Sequence, residues 1–183
     1  MKHELTKERK DFLEKDYRRG FIKFCGFQVL RIEQGLFESS IITGENHRTQ
    51  DDFIHAGLIA TMSDHTAGYA AYTLVPENIR ILTIEFKINF LKPAYGNELR
   101  CRSEIVNEGK QIIVAQSSVF DIRETHEKMV SRSTITLMAV NAGKLDHKGV
   151  ESQLILAHHL RCYIVGIERY ISYIFSDLPY FFP

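Results

Sequence analysis

From Ile81 to Leu91 the apolar residues Leu82, Ile84, Phe86, Ile88 and Phe90 alternate with Thr83, Glu85, Lys87 and Asn89. That two-residue period predicts a strand whose apolar positions share one buried face. Shorter runs of the same kind surround it. FQVLRIE (27–33) and LFESSIIT (36–43) read as two extended pieces turning near Gln34–Gly35. ELRCRSEIV (98–106) and QIIVAQSSVFDI (111–122) are joined through Asn107, Glu108 and Gly109, a glycine-bearing hairpin turn. KMVSRSTITLMAV (128–140) predicts a last strand, ending near Asn141.

One segment has a different rhythm. Asp51 to about Leu74 predicts a long helix, with Asp51 or Asp52 as N-cap and Pro76 where a stop is expected. Its side chains are small: Ala56, Gly57, Ala60, Ala67, Gly68, Ala70 and Ala71. Such a helix gains little from its own packing unless something comes close to its backbone. Two strands, one long helix and four hairpin-linked strands make an α+β domain, with the sheet curled around the helix to bury it. This domain takes residues 26–143. Before it, 1–25 forms an N-terminal helical segment, in which 4–19 alternates acids and bases, with few apolar positions, as a solvated amphipathic helix lying on the body does. After it, 144–183 places Val150, Leu154, Ala157, Leu160, Ile164, Ile167, Ile171 and Ile174 at helical spacing, which predicts a helical C-terminal extension.

Composition removes several function classes. Lys plus Arg and Asp plus Glu both number 23, so the formal charge is zero, against the basic excess of a nucleic-acid binder. Three widely spaced cysteines, Cys25, Cys101 and Cys162, form neither a disulfide framework nor a zinc knuckle and fit a reducing compartment. The first residues contain no apolar signal-peptide core, and Arg161, Glu168 and Arg169 interrupt any membrane span in the tail. A cytoplasmic location is the expectation.

Local motifs exclude more chemistry. There is no G-x-G-x-x-G, P-loop, H-E-x-x-H, C-x-x-C or G-x-S-x-G, and no histidine pair at metal-binding helical spacing. Neither a cofactor nor a metal is expected. The long helix remains. Asp64 falls in its middle, where aspartate is a poor helix former. At 3.6 residues per turn it shares a face with Gly57, Ala60, Thr61, Ala67, Gly68 and Ala71. Two readings stand side by side. In one, Thr61 satisfies the carboxylate and the small residues allow close helix contact. In the other, Asp64 is a partly desolvated nucleophile or general base. His55, Ala56 and Gly57 lie at the helix start, where backbone N–H groups have no internal partner and favour negative charge. Small side chains at 56 and 57 leave those donors open to a substrate carbonyl, as an oxyanion hole requires. His55 itself reads as a positioning residue for the nearby backbone.

Ala56 and Asp64 are eight residues apart, about 12 Å along a helix. A reacting carbonyl needs its donor and its base each within roughly 3 Å, or one water further. One helix cannot supply both to one substrate. Two helices side by side and antiparallel can, which predicts a two-fold dimer with two shared sites.

The run IHAGLIATMSDHTAGYAA (54–71) resembles the H-G-G…D helix of hotdog-fold acyl-CoA thioesterases of the PaaI-like branch. TIEFKINFLKPAYGNEL (83–99) is similar to that family's strand and Pro…Gly turn. The resemblance covers about 26–141. It implies a hotdog fold, hydrolysis of acyl-CoA, and a homodimer or dimer of dimers. It also implies that Asp64 is the catalytic acid and that Ala56 stands at the glycine whose N–H polarises the thioester. His55 and Gly57 match the flanking positions, and Thr83 matches a hydroxyl that helps hold the attacking water. Ala56 replaces the usual glycine, keeping the N–H and adding a methyl group. Gln50 is a candidate for an amide that some relatives place before the histidine. The rival function is a hotdog module that binds acyl-CoA without hydrolysing it. A hotdog hydratase fits less well, because His65 points about 100° away from Asp64 on the helix.

Overall fold

The computed structural model describes residues 5–123 and 126–145. The chain divides into two compact units, Met1–Val140 and Asn141–Pro183. In the second, the described part is a short turn, Ala142–Lys144, capped by the Asn141 side chain accepting from the Gly143 N–H at 3.0 Å. The helix expected over 144–183 lies outside the described residues.

The first unit runs α1 (Lys7–Tyr17), α2 (Gly20–Cys25), β1 (Gln28–Glu33), β2 (Leu36–Ile42), α3 (Ala56–Tyr72), β3 (Ile79–Phe90), β4 (Glu98–Glu108), β5 (Ile112–Arg123) and β6 (His126–Asn141). The strands form one six-stranded sheet in the order β1-β2-β4-β5-β6-β3, which leaves β1 and β3 as its edges. The β1–β2 hairpin turns at Gly35, whose φ of 75° is a left-handed conformation open to glycine.

The sheet holds α3 by two kinds of contact. Ala67 and Ala71 meet Ile113, Ala115, Ile135 and Leu137, all fully buried. Beside them, Ser103, Ser117 and Ser133 lie in register across β4, β5 and β6. The Ser117 hydroxyl donates to the Ser63 carbonyl of α3 at 2.9 Å. Small hydroxyls facing a small-residue helix bring backbone and sheet close, and Ser103, Ser117 and Ser133 each find a hydrogen-bond partner. The Cys101 thiol is enclosed in this core, and burial pushes its pKa up to about 12.

Three expectations change here. The helix begins at Ala56 with His55 as N-cap, not at Asp51 or Asp52. Asp52 takes a φ of 63°, inside a turn closed by the Thr49 N–H donating to the Phe53 carbonyl at 2.7 Å. That left-handed residue prevents helix from starting earlier. Second, the N-terminal helix lies on the body as an amphipathic helix does, but its apolar side goes deeper than a surface cover: Leu13 and Tyr17 are buried in the main core. The Tyr17 ring stacks on Phe37 at 4.9 Å between centroids. Third, β3 does not bury its alternating stripe. Ile81 and Phe86, five apart, pack against the same cluster, so the inward face changes between them, and Ile84 is 52% exposed. An edge strand has a neighbour on one side alone, so nothing holds its alternation in phase.

The approach to the helix start is anchored by a buried ion pair. Asp121, fully buried, pairs with Arg123 at 2.6 Å and accepts the N–H groups of Tyr95 and Gly96 at 3.2 and 2.9 Å. The turn so fixed offers the Ala94 carbonyl to the Ile54 N–H at 2.8 Å and the Gly96 carbonyl to Arg48 at 3.2 Å. Gly96 has no room for a β-carbon, which would run into the Asp121 carboxylate and the Ile122 carbonyl.

Candidate active site

The first turn of α3 is wired in a way that leaves one donor open. His55 has φ −62° and ψ 131°, and its Nδ1 accepts the Gly57 N–H at 2.9 Å. The His55 N–H donates to the His47 carbonyl at 2.8 Å, which fixes the cap. As an acceptor at Nδ1, the neutral ring carries its proton on Nε2. Of the two N–H groups expected to be open, Gly57 is therefore occupied. The Ala56 N–H has no acceptor among the described residues. A β-carbon at Gly57 would lie 3.0 Å from the His55 ring, so a larger residue there would press on the capping histidine.

Asp64 lies on α3, partly exposed, and Thr83 of β3 donates its hydroxyl to Asp64 Oδ1 at 2.8 Å. Thr61 does not satisfy this carboxylate; its hydroxyl donates to the Gly57 carbonyl at 2.9 Å. Oδ2 has no partner among the described residues. One oxygen is thus oriented and the other is free to meet water or substrate. The helical distance to Ala56 remains about 12 Å.

The open face around Asp64 is narrower than the helical wheel implies. Gly57, Ala60, Thr61 and Gly68 are at least partly exposed, but Ala67 and Ala71 lie under the sheet. Val75 and Ile81 pack over that C-terminal half of the helix. His65 turns away into the core. Its Nε2 donates to the Tyr17 carbonyl at 3.1 Å, and its ring lies 4.6 Å from that of Tyr17 and 4.9 Å from that of Tyr69. Burial lowers its pKa, opposed by the Tyr17 bond and the Asp64 and Asp16 charges. An acid–histidine pair at Asp64 and His65 does not form.

Gln50 lies in an exposed turn and lines none of the cavities around the helix start. Asn46, in the polar loop between β2 and α3, does line the cavity beside His55, Gly57 and Thr61. Only the folding of the 44–49 loop against α3 could reveal it. No group of three or more metal-binding side chains occurs among the described residues, and no helix among them is long and apolar enough to cross a membrane.

A six-stranded antiparallel sheet wrapped around one long helix defines a hotdog-fold protein, and its helix carries an open N–H at the start and an oriented carboxylate two turns on. The family model of the thioesterase superfamily matches residues 52–126. A thioesterase family protein from Silicibacter pomeroyi superposes with a TM-score of 0.70 at 30% identity, over 73% of this chain and 98% of that one. The chain belongs to the thioesterase superfamily. The PaaI protein of E. coli shares the fold, with a TM-score of 0.65 at 15% identity over 73% of this chain and 94% of that one. A putative esterase from Saccharolobus solfataricus is 31% identical over 94 residues, covering 51% of this chain and 66% of the relative.

Proposed function

We propose that this protein hydrolyses acyl-CoA thioesters to a free carboxylic acid and CoA, as a two-fold dimer with two shared sites. Asp64 of one protomer acts as general base or nucleophile, with Thr83 orienting its carboxylate and the attacking water. The thioester carbonyl accepts the N–H from Ala56 of the partner subunit, so the oxyanion forms at the positive end of a helix. Water adds to the carbonyl carbon, the C–S bond breaks, and the thiolate leaves with a proton. Water and thioester suffice, so no cofactor is invoked.

The observation that carries this reading is that the open donor and the oriented carboxylate sit on one helix, too far apart to serve one carbonyl. A second, antiparallel copy closes that gap. The edge strand β3 supports the pairing: among the described residues its backbone has no strand neighbour on one side, and Ile84 and Phe90 are about half exposed. The test is release of CoA thiol from an acyl-CoA panel by wild type and by Asp64→Asn. Hydrolysis reduced by a few orders of magnitude in a folded variant is expected. Near-wild-type turnover by Asp64→Asn rejects the assignment, and binding without thiol release by wild type identifies a non-catalytic acyl-CoA module.

A further inference from the structure

The chain leaving β3 forms one wall of a cavity at the first turn of α3. Ala56, whose N–H is open, lines it together with Pro93 and with Phe90 and Leu91, which are each 50% exposed. Its floor is Ile54, Ile59 and Ala94, all buried. The wall is fixed at both ends. The Leu91 N–H donates to the Val130 carbonyl at 2.8 Å, and the Ala94 carbonyl accepts the Ile54 N–H at 2.8 Å. Among the described residues, Lys92 supplies the one polar side chain of the lining. A thioester carbonyl carries a group on each side, and the two differ in chemistry. The CoA side holds amides and phosphates, which lose hydrogen bonds to water when buried without polar partners. A hydrocarbon acyl group has no such bonds to lose.

We infer that the acyl group of the substrate lies in this cavity, against Phe90 and Leu91, and that these two residues give the enzyme a preference for apolar acyl groups. The inference rests on the thioesterase reading and adds the substrate class. What carries it is that the proposed oxyanion donor is itself part of the lining, so a carbonyl oxygen held on the Ala56 N–H sets its acyl carbons beside the same walls. Phe90 and Leu91, half open to water, gain an apolar partner when an acyl chain covers them. A dimer contact through β3 leaves part of the seat free, because Leu91 and Pro93 follow the end of that strand. The cavity on the other side of the turn does not include Ala56. Asn46, His47, His55 and Thr61 give it a polar lining beside Phe21 and Phe24, so it suits a hydrocarbon less well.

The experiment compares wild type with Leu91→Ala, Phe90→Ala and, for the other cavity, Phe24→Ala. Acetyl- and hexanoyl-CoA are assayed by thiol release. S-ethyl-CoA and S-hexyl-CoA, which cannot be hydrolysed, are measured by calorimetry. Wild type is expected to favour hexanoyl over acetyl by about tenfold or more in kcat/KM, and hexyl over ethyl likewise in Kd. Leu91→Ala and Phe90→Ala are each expected to lose most of both ratios, and Phe24→Ala to keep them. Sedimentation velocity is run on every variant. Where Phe90→Ala dissociates, Leu91→Ala, which lies beyond the strand, decides the result. Hydrolysis with both ratios unchanged in a dimeric Leu91→Ala overturns the acyl seat and leaves the function standing, as do ratios that collapse in Phe24→Ala instead. Absence of hydrolysis in wild type, with the binding ratio still lost in Leu91→Ala, overturns the function and leaves the seat standing. Absence of hydrolysis with an unchanged binding ratio overturns both.

Discussion

Ala56→Pro isolates the proposed oxyanion donor from the fold. Ala56 is the first residue of α3, and its N–H bonds to nothing among the described residues, so proline there removes no intramolecular hydrogen bond. The first helical position tolerates proline, whereas an interior one costs about 3 kcal/mol. The preceding residue must be extended, and His55 already is, at φ −62° and ψ 131°. The expected change in stability is therefore within about 1 kcal/mol. Catalysis responds differently. Losing one oxyanion donor in a water-excluded site reduces kcat by about 10²–10³, or about 3–4 kcal/mol. The assay is release of CoA thiol under saturating substrate, alongside a thermal melt of each variant. Ala56→Gly, which keeps the N–H, is the control and stays near wild type. A folded Ala56→Pro enzyme within about threefold of wild-type kcat refutes the role of this N–H.

Three further outcomes are expected. Thr83→Val keeps the shape of β3 and removes the bond to Asp64 Oδ1, so kcat falls about tenfold with little change in the melt; an unchanged kcat removes Thr83 from the site. His65, with its pKa lowered by burial, binds a proton more readily unfolded than folded. Its contribution to stability is present above its ordinary value of about 6.5 and is lost as pH falls below it. The melting temperature should drop between about pH 7.5 and about pH 5.5, and less steeply in His65→Phe; equal slopes exclude this group as the source. Gly96→Ala places a methyl group against the Asp121 carboxylate and should destabilise by more than about 2 kcal/mol in a denaturant titration. A neutral result there means the 93–96 turn relaxes freely.

Several features were legible from the chain because their causes are local. The hairpin at Gly35, the six strands and the existence of α3 each follow from residue period and turn chemistry within a few positions. Of the helix-start geometry, only the presence of unsatisfied N–H groups beside small residues was legible; the first turn itself and the capture of the Gly57 N–H by His55 were not. Asp64 and Ala56 could be singled out on these grounds, and their separation is a property of helical rise alone.

Other features depend on what packs where. The true first turn of α3 was hidden by Asp51 and Asp52, good capping residues that a tight turn at 49–53 uses otherwise. Which of the small residues stay open was decided by β3, β5 and β6, whose side chains cover Ala67 and Ala71 but not Gly57 or Gly68. Thr83 meets Asp64, and Asn46 reaches the cavity beside His55, only because strands and loops distant in sequence converge on one helix. Periodicity encodes the relation of each residue to its near neighbours. Burial and partnership are set by contacts across tens of residues, and those exist only once the sheet has closed around the helix.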